Sequence, residues 1–143
     1  MIDYSDAGER VVPLHKDWNF FSHLSVYRLA ATYISGRVLD AGCGTGYGTA
    51  YLLDRGATHV TGIDRSELAI AFCNDHFKAD RLDFRIVNME KPLPFTDRCF
   101  DSIFSSNSIE HVAKVDDLLS ELARTLKPDG TILLCQRSPR PKH

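Results

Sequence analysis

Arg37-Val38-Leu39-Asp40-Ala41 runs without a break into Gly42-Cys43-Gly44-Thr45-Gly46, an apolar run that ends in a cluster of glycines. The first five residues read as a short, buried-type β-strand that carries an acid near its end. The glycines behind it let the backbone turn sharply and let a ligand come closer than a Cβ would permit. A helix from about Tyr47 to Asp54 follows, closed by Gly56. Outward from there the chain alternates. His59–Asp64 reads as a second strand, and Ser66 as the N-cap of a helix carrying Leu68, Ala69, Phe72, Cys73 and Phe77. Leu82–Val87 and Phe100–Phe104 read as the third and fourth strands. A helix from about Val115 to Leu126 is stopped by Lys127-Pro128-Asp129-Gly130, and Thr131–Cys135 is the fifth strand. On the N-terminal side, Leu24, Tyr27, Ala30, Ala31 and Ile34 fit one face of a helix over His23–Ile34 that ends at Ser35-Gly36. Residues 1–22 read as an irregular arm and 137–143 as a basic, proline-containing tail, all within a single domain spanning 1–143.

Strict strand–helix succession implies parallel strands joined by crossover helices, an α/β fold with a doubly wound, mostly parallel open sheet. Ligands of such sheets lie beyond the carboxyl ends of the strands. That rule selects Asp40–Gly46, Asp64, Asn88 and Ser105–His111 as the candidate site.

Composition narrows the function. The 143 residues are 43% hydrophobic and 25% charged, with a net charge of −2, which fits an ordinary globular domain with a real core. A pI near 6.3 argues against a protein that lives on nucleic-acid phosphates. The four cysteines, at 43, 73, 99 and 135, lack the spacing of a zinc knuckle or redox dithiol, and no metal site is expected. Met1–Arg10 lacks the features of a signal peptide, and no stretch approaches the ~20 apolar residues of a membrane span. A soluble, cytoplasmic protein without membrane insertion is the expectation.

Two ligand classes compete for the glycine loop. A dinucleotide fingerprint counted from Gly42 and Gly44 puts its third glycine on Tyr47, so the register fails. Asp40 would also repel a pyrophosphate while attracting an ammonium or sulfonium. S-adenosylmethionine carries both cations and no phosphate.

At this point the chain resembles the class I S-adenosylmethionine-dependent methyltransferases, and within them the small-molecule type 11 group. The resemblance covers roughly Arg37 to Cys135. It rests on Val38–Gly46, Val60–Ser66, Met89–Phe95 before Phe100-Asp101, Ile109-Glu110-His111-Val112, and Leu126–Gly130, in that order. It implies that Asp40, Gly42, Cys43, Gly44 and Gly46 form the cofactor loop and that Asp64 accepts both ribose hydroxyls. Arg65 then lies near the adenine face or is a solvated surface arginine. Asn88 stands where the family often has an aspartate for the adenine amino group, which implies weaker affinity because the bond loses its charge assistance. Met89 offers its backbone N–H to the ring, its side chain serving as packing. Backbone carbonyls around Ser105 are placed for the methionine ammonium. Ser105-Ser106-Asn107-Ser108 is not the Asn/Asp-Pro-Pro-aromatic motif of base methylation. The expected acceptor is therefore a small molecule or a sugar- or lipid-linked group, not nucleic acid.

Transfer from a sulfonium mainly requires orientation and exclusion of water. A base is needed only when the acceptor must lose a proton, and His111 is the candidate; a purely structural role for Glu110-His111 is the alternative. Arg10 or Arg28 could pair with the cofactor carboxylate, His15 and His23 could line the acceptor pocket, and Trp18, Phe20 and Phe21 could form a lid; each also reads as an ordinary surface or packing residue. Three rivals remain: a nicotinamide oxidoreductase, an aminopropyl transferase using the decarboxylated cofactor, and a non-catalytic module. The family sheet continues past its fifth strand with a helix and an antiparallel strand pair, for which residues 138–143 do not suffice. An exposed fifth-strand edge is then expected, covered by a homodimer partner, or else a truncated chain.

Overall fold

The strand carrying Asp40 is central. In a computed structural model, which describes residues 18–136, β1 (Gly36–Ala41) lies between β2 (Ala57–Asp64) and β4 (Phe100–Ser106). β3 (Leu82–Ile86) adds beside β2 and β5 (Leu126–Cys135) beside β4, giving the order β3-β2-β1-β4-β5 with every pairing parallel. The mostly parallel sheet expected from sequence is wholly parallel among the described residues. The helices are α1 (Trp18–Ala30), α2 (Tyr47–Asp54), α3 (Glu67–His76) and α4 (Val115–Thr125), with a short 3-10 turn at Ile109–His111.

Side chains of β1 alternate between two cores. Leu39 and Ala41 pack with Ile63, Ile103, Leu118 and Leu122 on the α4 side. Val38 packs with Tyr27, Ala30, Leu52, Val60 and Phe104 on the α1 and α2 side. The alternation that sends Val38 to the second core sends Asp40 there too, which explains how a carboxylate comes to be fully buried. A smaller cluster of Cys43, Ile70, Cys73 and Phe84 seats α3.

Several boundaries differ from the sequence reading. α1 begins at Trp18, so 18–22 belong to a helix and not to the arm, and it ends at Ala30 with a turn over 31–33. Ser66 caps α3 as expected, accepting from the Ala69 N–H at 3.2 Å. The largest difference lies at Lys127–Gly130, read as a stop between helix and strand. Leu126 already pairs with Phe100, and the register then jumps so that Thr131 faces Ser102. Pro128 and Asp129 are therefore accommodated in an irregularity within β5, tied down by Lys127 Nζ donating to Asp101 at 3.0 Å. Arg10, His15 and the 137–143 tail lie outside the described residues.

Candidate cofactor site

The turn after β1 takes positive φ at three glycines, 87° at Gly42, 56° at Gly44 and 86° at Gly46. Gly42 is held by the Gly42 and Cys43 N–H groups, both donating to the Ile63 carbonyl at 2.8 and 2.9 Å. A Cβ on Gly42 would overlap the Ser108 side chain, so the loop after β4 folds directly over the loop after β1. Gly46 is the N-cap of α2, whose first turn points N–H groups back into the loop.

Asp64 ends β2 beside this loop and is 7% exposed. Its Oδ2 accepts from the Gly44 N–H at 3.1 Å and its Oδ1 from the Ser66 N–H at 2.9 Å. Two backbone donors thus orient the carboxylate before any ligand arrives.

Asp40 is built differently. It is fully buried; the Tyr27 hydroxyl donates to Oδ2 at 3.0 Å and lies 3.3 Å from Oδ1, and the Thr49 hydroxyl donates to Oδ2 at 2.8 Å. Burial pushes its carboxyl up to about 7, against the two hydroxyls, which pull it down. Asp64 nearby also favours the neutral acid. Burial, with the Asp40 carboxylate second, holds the Tyr27 and Tyr47 phenols above their ordinary range, and a contact with the Cys73 thiol, then burial and Asp40, does the same for the Cys43 thiol.

The remaining predicted residues gather at the same strand ends with differing exposure. Asn88 is exposed and its Oδ1 accepts from the Glu90 N–H at 2.9 Å, so the side chain is engaged in a local turn. Met89 packs against the α4-side core. Arg65 is exposed, as is Arg28. The buried Ser105 hydroxyl donates to the Ala41 carbonyl at 2.7 Å, which ties β4 to the start of the glycine loop. His111 is 62% exposed at its side chain, with Nε2 4.0 Å from Glu110 Oε1. Phe21 is 52% exposed on α1. Tyr27 and Thr49 escaped the sequence reading of the site. Tyr27 counted as one more apolar-face residue of its helix, and its link to Asp40 spans two elements that sequence spacing does not connect. Thr49 stands one helical turn past the loop, and that position was the available signal.

The loop geometry, the oriented acid at the end of β2 and the all-parallel sheet agree with the comparison to known proteins. The methyltransferase domain family matches residues 39–134. The chain belongs to that family. The methyl donor of the family is S-adenosylmethionine. This methyltransferase domain is 35% identical over 131 residues to a probable S-adenosylmethionine-dependent methyltransferase of Mycolicibacterium smegmatis, an alignment covering 90% of this chain and 49% of that protein. It is 37% identical to a fatty-acid O-methyltransferase of the same organism, covering 73% of this chain and 38% of the relative. Among solved structures, a Pyrococcus horikoshii protein superposes with a TM-score of 0.74 at 28% identity, over 83% of this chain and 58% of that one. The methyltransferase domain therefore spans about half the length, or less, of the curated relatives it matches. Among the described residues, no helix is long and apolar enough to cross a membrane, and no cluster of three metal-ligating side chains occurs.

Proposed function

We propose that this chain binds S-adenosylmethionine across the carboxyl ends of β1, β2 and β4 and transfers its methyl group to a small-molecule or sugar- or lipid-linked acceptor. The observation that carries the reading is Asp64, oriented by Gly44 and Ser66 beside a loop whose glycines leave room for a ligand. The donor set suits the cofactor: acids at Asp40 and Asp64 complement a ligand bearing an ammonium and a sulfonium and disfavour a pyrophosphate. Bound, the cofactor supplies an electrophilic methyl group on sulfur.

The chain's own residues then orient the reactants and exclude water. Asp64 accepts the ribose hydroxyls, Asn88 and the Met89 N–H meet the adenine, and the carbonyls around Ser105 receive the ammonium, with the negative charge of Asp40 buried behind the loop attracting it. Gly42, Cys43, Gly44 and Gly46 form the floor, and Arg65 flanks the adenine side. His111 takes a proton when the acceptor is a hydroxyl. The name of the fatty-acid relative is in keeping with a small acceptor. A homodimer covering the β5 edge, whose Leu134 is 36% exposed, belongs to the same reading.

The test of the chemistry is methyl incorporation from labelled cofactor with a panel of fatty acids, phenols, sugars and amines. His111→Gln lowers kcat on a hydroxyl acceptor by about 10²-fold and leaves cofactor Kd unchanged. An unaltered kcat on such an acceptor assigns His111 to the turn alone.

A further inference from the structure

We propose that Tyr27, on α1, is a positioning residue for cofactor binding: its hydroxyl holds Asp40 in the ionised form that the cationic end of the cofactor selects. The proposal rests on the reading of the glycine loop as the cofactor site. It concerns a helix that precedes the matched family region of 39–134.

The geometry carries it. A carboxylate without water needs donors or a cation. Among the described residues, the groups facing Asp40 are Tyr27 from α1, Thr49 and Tyr47 from α2, Cys43 from the glycine loop and Asp64 from β2. None of these is cationic, and the hydroxyls of Tyr27 and Thr49 donate hydrogen bonds to the carboxylate. Two neutral donors thus favour the charged state of Asp40, one of them supplied from outside β1–α2. Tyr27 cannot easily withdraw. Its ring stands edge-on to Phe104 at 4.8 Å and tilted against Tyr47 at 6.1 Å, and it fills the space that a side chain on Gly48 would take. Gly48 lies within α2, where glycine is otherwise unfavourable, so the close approach of the ring explains its presence.

Near neutral pH the neutral and ionised forms of Asp40 are comparably populated. A ligand that places an ammonium or sulfonium at the loop selects the ionised form, so binding releases a proton below neutrality and tightens as the pH rises. Removing the Tyr27 hydroxyl favours the neutral acid and displaces that dependence upward; a stronger phenol donor displaces it downward.

The experiment is calorimetric titration of the full chain with S-adenosylhomocysteine and S-adenosylmethionine over about pH 5.5–8.5, in buffers of different ionisation enthalpy so that proton release is counted. Wild type shows affinity rising to a plateau through an inflection near neutrality, with proton release below it. Tyr27→Phe, which keeps the ring, moves the inflection up by about one pH unit and largely retains the plateau affinity. Incorporation of 3-fluorotyrosine at position 27, which keeps the hydroxyl and almost the same shape, moves it down and serves if Tyr27→Phe fails to fold. In an Asp40→Asn background the inflection is absent and Tyr27→Phe changes nothing further. An inflection unmoved by both Tyr27 variants overturns the proposal while the cofactor reading stands. Wild type that binds neither ligand at any pH overturns both.

Discussion

Asp64 and Asp40 are both carboxylates at adjacent strand ends, yet their surroundings give them different tasks. Asp64 is held by backbone N–H groups of Gly44 and Ser66, which fix the direction of its carboxylate. Asp64→Ala removes the ribose acceptor and also leaves Gly44 without that partner. Cofactor affinity falls by about a hundredfold or more, while far-ultraviolet circular dichroism stays that of the wild type. Survival of wild-type affinity would refute the ribose assignment. At this scale the sequence was readable where a residue's role follows from its place on a strand. Asp40, Asp64 and Ser105 stand at strand ends, and topology alone brings them together. It was not readable where the role depends on a partner distant along the chain. The place of Asp40 at a strand end is legible in the sequence, whereas its bonds to the Tyr27 hydroxyl from α1 and the Thr49 hydroxyl from α2 are not.

At the scale of elements, α2 and the segment before β4 show how contacts override local propensity. Alanine is the better helix former, by about 1 kcal/mol over glycine. Gly48→Ala nonetheless destabilises the domain, by about 1–3 kcal/mol in urea unfolding, because the new Cβ drives into the Tyr27 ring. A gain in stability would show that the ring is free to shift. Arg124, on α4, donates to the carbonyls of Leu93 and Phe95 and to the carboxylates of Asp97 and Glu121, and so pins the segment after Asn88 and Met89. Arg124→Met accelerates amide hydrogen exchange over residues 91–97 while leaving β1 and β2 protected. The element boundaries follow the same lesson. Pro128-Asp129-Gly130 carries strong breaker chemistry, but the ladder with β4 resumes on either side of it, and only the neighbouring strand reveals that Leu126 already belongs to the sheet.

For the whole molecule, alternating strands and helices make a parallel, doubly wound sheet legible in the sequence, whereas the order β3-β2-β1-β4-β5 comes from the strand pairings. Burial of Asp40 has a global consequence. Its folded-state carboxyl is raised to about 7, above the ~3.9 of an unfolded chain, so between those values the unfolded state binds fewer protons than the native state. This contribution to stability is fully present below about pH 4, declines as the pH rises to about 7, and levels off above it, amounting to a few kcal/mol. Asp40→Asn removes the decline, and urea midpoints measured across that window display the difference from wild type. A wild-type midpoint whose pH dependence matches the variant's would contradict the buried, hydroxyl-held acid. The most direct test of the account is calorimetry of the folded wild-type chain with S-adenosylhomocysteine and S-adenosylmethionine near pH 8. It predicts saturable heat with both ligands at one site per chain, and the absence of saturable heat with either would contradict it.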